Sequence, residues 1–118
     1  MSNLQDSVLF TPYRLGQVTL RNRTIRSAAF ESMGKDFSPT QQLKDYHVAV
    51  ARGGVGMTTL AYAAVCRSGL SFNKQLWLRP EIVPGLREIT DAVHREGAAA
   101  AIQIGHCGNM THWTTAGQ

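Results

Sequence analysis

The chain has little of what would mark several functional classes. Cys66 and Cys107 are its only cysteines among 118 residues, and no C-x-x-C pair occurs. They are too few and too far apart for a disulfide framework, so a reduced, cytoplasmic setting is the expectation. The opening Met1-Ser2-Asn3-Leu4-Gln5-Asp6 has neither the basic nor the apolar segment of a secretory leader. The longest apolar window, Val48 to Cys66, is interrupted by Arg52 and by Gly53, Gly54 and Gly56, which suits a helix–turn–strand better than a membrane span. Lysine and arginine outnumber aspartate and glutamate 12 to 8, giving a net charge of +4. The arginines are scattered from Arg14 to Arg95 with no basic stripe interleaved with aromatics, so no nucleic-acid partner is expected. His106, Cys107 and His112 lack the spacing and the fourth ligand of a structural metal site, and no metal is expected.

What remains is a globular composition, 43% hydrophobic and 17% charged, with regular alternation of element types. Tyr13-Arg14-Leu15 and Val18-Thr19-Leu20 flank Gly16-Gln17, the pattern of a tight hairpin. Thr24 to Phe30 reads as a strand. Ser38-Pro39-Thr40-Gln41 predicts a helix start with Ser38 as N-cap, running to Arg52 and stopped by Gly53-Gly54. Val55 to Ala61 reads as a second strand, followed by an irregular loop through Trp77. A second helix is expected from Pro80 or Pro84 to Gly97, with Leu86, Ile89 and Val93 on its buried face and an Asp91–Arg95 pair. Ala99 to Ile104 is the third strand. Hairpin, β, α, β, α, β implies a parallel α/β sheet with right-handed crossovers. That order suits an open doubly wound sheet or the first portion of a (β/α)8 barrel.

The third strand carries the most informative residue. Gln103 lies between Ile102 and Ile104 and runs into the glycine-flanked loop Gly105-His106-Cys107-Gly108. An amide in an apolar strand is costly unless something hydrogen-bonds it. A carboxamide both donates and accepts, which suits the pyrimidine edge of a flavin, although this strand alone favours a core glutamine satisfied by neighbouring backbone. At the end of the first strand, Ser27-Ala28-Ala29 is a run of small residues that suits either close approach of a planar ligand to the backbone or tight packing of an interior strand. Glu31 just beyond is expected to be solvated, and His47 to be a surface or packing residue. Gly53-Gly54-Val55-Gly56 ends a helix and opens a strand, the reverse of a dinucleotide fingerprint.

Together these segments resemble the N-terminal part of the old yellow enzyme family, the NADH:flavin oxidoreductases. The resemblance runs from Leu9-Phe10-Thr11-Pro12 and the hairpin through Arg26-Ser27-Ala28-Ala29-Phe30-Glu31, similar to an "RSAT-x-E" strand end. It continues through Gly54-Val55-Gly56-Met57, Ala61-Tyr62, Pro84-Gly85-Leu86 and Val93-His94-Arg95-Glu96-Gly97-Ala98. Gln103-Ile104-Gly105-His106-Cys107-Gly108 is similar to the "QL-x-HAG" segment. It implies a (β/α)8 TIM barrel of which residues 1–118 form an N-terminal segment, with the hairpin over 13–20. It also implies bound FMN, NAD(P)H as reductant, and a small-molecule acceptor such as an activated C=C.

The resemblance also assigns positions. Ser27, Ala28 and Ala29 would line the flavin, Phe30 would sit near its redox-tuning edge, Ala61 and Tyr62 would approach from the second strand, and Gln103 would bind the pyrimidine edge. Two departures stand out. Phe30 occupies a position that is often polar and cannot donate a hydrogen bond, and Asn109 stands where arginine is usual. The family's histidine pair, its tyrosine proton donor and its phosphate site belong further along such a barrel, which needs roughly 250 residues. No catalytic residue is therefore assigned here. The expected partner is the remainder of the barrel, in the same or a second chain, with oligomerisation open and no membrane partner. The alternative expectation is a non-catalytic fragment or interaction module that folds only with a complementing chain.

Overall fold

The structure, a computed structural model, describes residues 6–111. The chain begins with the expected hairpin: β1 (Tyr13–Leu15) pairs antiparallel with β2 (Val18–Leu20), and Gly16 turns the chain at φ +61°. Glycine adopts that left-handed conformation without the cost a Cβ imposes. After it come β3 (Ile25–Arg26), α1 (Gln41–Arg52), β4 (Met57–Ala64), β5 (Leu76–Trp77), α2 (Val83–Arg95) and β6 (Ala99–Gly105).

β4 is the central strand, and all its partners are parallel to it. β6 pairs along most of its length, from Met57↔Ala99 to Ala64↔Gly105. The other edge is shared by β3 at Met57–Thr58 and β5 at Ala63–Ala64. The long strands thus stand side by side in chain order. The core lies on one side of this sheet: Leu43 and Ala51 of α1, Ile89 and Val93 of α2, Leu60 and Ala63 of β4, with Leu76 and Ala98. Two consecutive right-handed crossovers that return to the same face build a barrel wall, whereas a doubly wound sheet places helices on both faces. The fold is a partial (β/α)8 barrel.

Several boundaries differ from expectation, each for a local reason. The N-cap of α1 is Thr40, whose Oγ1 accepts from the Leu43 N–H at 3.1 Å. Ser38 instead closes a turn with Lys35 through two backbone hydrogen bonds. β3 ends at Arg26, because Ser27 and its successors leave the ladder. β4 extends to Ala64, and the loop expected through Trp77 contains the short strand β5. Residues 80–82 form one 3-10 turn before α2, so both proposed helix starts are partly right. The ion pair at the end of α2 is Arg52–Glu96, at 3.0 Å, in place of the expected Asp91–Arg95 pair.

The N-terminal edge of the sheet is fastened by two residues just past the hairpin. Arg21 donates to the carbonyls of Ala51 (2.5 Å), Glu96 (2.7 Å) and Val55 (3.1 Å). The first two are carbonyls at the C-terminal ends of α1 and α2, where unpaired acceptors and the negative dipole end favour a cation. Asn22 donates from Nδ2 to Gly54 and accepts from the Thr24 N–H.

Candidate functional site

The strand register sorts the side chains into two faces. Arg26, Thr58 and Ala100 align across β3, β4 and β6 and face the helices. Arg26 stacks on Tyr46 of α1, Thr58 meets His47 of α1, and Ala100 packs on the core. The rows that alternate with it, Ile25–Met57–Ala99 and Thr59–Ala101, therefore face away from the helices, and Gln103 stands two residues beyond Ala101 on that same face, while Ser27 lies one residue past the end of β3. Ser27 and Gln103 are both exposed. The expectation of an amide enclosed in a buried strand is corrected here. Ile102 packs toward the helices, but no described element covers the opposite side, and even Ile104 is 56% exposed.

Gln103 makes no side-chain hydrogen bond among the described residues, so its carboxamide keeps a free donor and a free acceptor. Two strand spacings, about 10 Å, separate β3 from β6. Between them on β4 lies the side chain of Thr59, beside Ala101 of β6. A wall with small groups at one end and an unused carboxamide at the other fits a planar heterocycle lying across it, with an edge that alternates acceptors and an N–H. The donor set is compatible with a flavin ring.

The Phe30 ring is 60% exposed at the end of this wall. Its centroid lies 4.4 Å from that of Phe72 and 6.1 Å from that of Tyr62. The structure thus brings two of the expected residues, Phe30 and Tyr62, together, and adds Phe72 from the loop after β4. The Tyr62 hydroxyl lies 2.8 Å from Ser71 Oγ, and Ser71 in turn bonds Gln75 Oε1 through its N–H at 2.8 Å. Ala61 is 8% exposed, and the Ala61–Tyr62 peptide is cis. Ala28 is half-buried and Ala29 exposed beside them.

Glu31 is the clearest correction. Its side chain is 2% exposed, not solvated. Oε2 accepts from Arg26 Nη1 at 2.8 Å and lies 2.7 Å from His47 Nε2, while Oε1 accepts from the backbone N–H of Ala61 at 2.9 Å. The His47 contact is electrostatic rather than a well-aligned hydrogen bond, since Nε2 has no partner in hydrogen-bonding geometry. His47 itself is fully buried, with Nδ1 2.8 Å from Thr58 Oγ1. Arg26 also donates to the Thr59 carbonyl at 2.8 Å and to the Tyr46 hydroxyl at 3.2 Å. Sequence reasoning missed this group, although a signal was present. His47 falls at the same helical spacing as Leu43 and Ala51, so a buried ring on α1 needed polar partners across the interface.

The loops after β4 and β6 are joined. The Cys107 N–H donates to the Gly69 carbonyl at 3.0 Å, and a Cβ on Gly69 would come within 2.8 Å of the His106 ring. His106 Nε2 lies 3.3 Å from Ser68 Oγ, so this histidine is a loop residue. Among the described residues no group of three potential ligands could hold a metal ion, and His112 lies outside them. Cys66 and Cys107 are free thiols. No described helix is long and apolar enough to cross a membrane. A groove of about 360 Å³ between the outer faces of α1 and α2 contains none of the candidate residues.

Comparison with known proteins agrees with this geometry. Residues 8–115 match the model of the NADH:flavin oxidoreductase / NADH oxidase family. The chain is 48% identical over 108 residues to a 4,4'-dithiodibutanoate disulfide reductase of Rhodococcus erythropolis, covering 92% of this chain and 27% of that protein. It is 48% identical over 112 residues to a probable N-methylproline demethylase of Rhizobium meliloti strain 1021, covering 93% and 16% respectively. Among solved structures, the old yellow enzyme homologue of Zymomonas mobilis superposes with a TM-score of 0.85 at 24% identity, over 95% of this chain and 32% of that one. The chain therefore spans less than a third of each of these proteins.

Proposed function

The chain belongs to the NADH:flavin oxidoreductase / NADH oxidase family, and from that footing we propose that it supplies one wall of an FMN pocket. In this reading the complete barrel passes hydride from NAD(P)H through the flavin to a small-molecule acceptor such as an activated C=C. FMN supplies the redox chemistry when bound, and the protein positions it. Gln103 binds the pyrimidine edge by donating and accepting at once. Ser27, Ala28 and Ala29 let the ring approach the end of β3, and Ala61 and Tyr62 close against it from β4. Phe30 packs at the edge without donating a hydrogen bond.

The observation that carries the reading is the exposed, unpaired carboxamide of Gln103 on the sheet face turned away from the helices, with Ser27 exposed just past the end of β3. In this reading the residues that transfer protons and hold the phosphate belong to later strands of the barrel. We assign it to the cytoplasm, with its two free cysteines as support. The test is assembly of this chain with the remainder of its barrel, in one polypeptide or two. The expected product is yellow, with stoichiometric FMN and NAD(P)H-dependent bleaching of the flavin band. An assembled, folded barrel that takes up no FMN overturns the reading.

The uncovered sheet face supports a second reading, in which this segment serves only as a folding partner for a complementing chain. A colourless but stable assembly is the outcome that favours it.

A further inference from the structure

We infer that Glu31 is a positioning residue for the cofactor wall, acting through the backbone of Ala61; this rests on the proposed FMN site. The β4–β6 ladder is regular from Met57 to Leu60 and resumes at Ala63 after a shift of register. Ala61 lies at that shift, and on the β3 side of β4, where β3 has ended at Arg26 and β5 has not begun, its N–H donates to Glu31 Oε1. A buried backbone donor must find some partner, and here a carboxylate from another strand end supplies it. Glu31 follows Phe30 directly, so one side chain fixes the distance between the Ser27–Phe30 segment and the Ala61–Tyr62 segment. These are the two segments assigned to the ring.

Burying a carboxylate is costly without compensation. Arg26 on β3 and His47 on α1 hold Oε2, and His47 is anchored in turn by Thr58. The carboxylate is thus built in from three elements, with one oxygen toward Arg26 and His47 and the other for Ala61.

The test compares Glu31→Gln with Thr58→Val in the assembled, FMN-loaded barrel. Thr58→Val removes the far anchor of His47 and leaves the Glu31–Ala61 contact in place. It is expected to lower the melting temperature while leaving the FMN dissociation constant, the visible flavin band and the midpoint potential as in the unmodified protein. Glu31→Gln is expected to raise the FMN dissociation constant roughly tenfold or more, to shift the flavin band, and to raise the midpoint potential, since Arg26 loses its counter-charge. A Glu31→Gln protein that melts lower but keeps all three flavin properties overturns the inference and leaves the proposed function standing. Glu31→Asp keeps the charge but withdraws it from Ala61, and serves where the glutamine variant does not fold. A rise in the dissociation constant is expected there too, and none overturns the inference. An unmodified assembly that takes up no FMN overturns the proposed function and this inference with it.

Discussion

Arg21 Nη2 donates to the carbonyl of Ala51 across 2.5 Å, joining the exit of the hairpin to the end of α1 thirty residues on. The same guanidinium reaches Glu96 past α2 and Val55 before β4, so one residue gathers three chain segments at the N-terminal edge of the sheet. A lysine could not bridge three carbonyls with one planar group. The two ends of the sheet therefore divide their tasks: Arg21 and Asn22 hold the elements together at one end, and the candidate site occupies the other.

Arg21→Met keeps much of the stem and removes all three donors. It is expected to destabilise the assembled barrel by about 2–4 kcal/mol, given the worth of charged hydrogen bonds and their incomplete additivity. Urea unfolding measures this, and FMN affinity should be unaffected because the residue lies at the opposite end of the strands.

Gly56 sits against backbone on the same edge. A Cβ there would come within 2.5 Å of the Asn22 carbonyl oxygen and 2.9 Å of the Thr24 carbonyl oxygen. Neither neighbour is a flexible side chain, so Gly56→Ala must displace the entry to β3 or β4. A loss of about 1–3 kcal/mol is expected, read as a lower denaturation midpoint. Gly105→Ala, where a Cβ meets nothing within 4 Å, is the tolerated control for crowding.

The chain by itself presents Leu15, Val18, Ile25, Phe30 and Ile104 to solvent, each at least 45% exposed, beside unpaired sheet edges. Exposed apolar side chains beside open strand edges invite edge-to-edge pairing. Light scattering after size exclusion should find it self-associated or loosely folded, with self-association relieved on adding the rest of the barrel. A monodisperse, cooperatively melting monomer is the contrary result.

The order of elements was readable because its signals are local. Gly16 in the hairpin turn, Gly53-Gly54 after α1 and the 3.6-residue spacing of Leu86, Ile89 and Val93 act within a few residues of themselves. The cap of α1 was misread by two positions, because Ser38 and Thr40 are both competent and the Lys35–Ser38 turn decides between them. Glu31 was misread for a different reason. Its burial depends on Arg26, His47 and Ala61, which converge only once β3, α1 and β4 have packed. Gln103 was placed on its correct strand, but its enclosure was overestimated, since no described element covers that face of the sheet.

The most direct measurement is FMN titration of the assembled barrel carrying Gln103→Leu beside the unmodified protein. Leucine keeps the bulk and removes both the donor and the acceptor of the exposed amide. The account predicts a dissociation constant raised about ten- to hundredfold, with the melting temperature of the flavin-free protein unchanged. Equal FMN affinity in the two proteins would contradict it, because the wall carrying Gln103 and Ser27 would then not face the flavin.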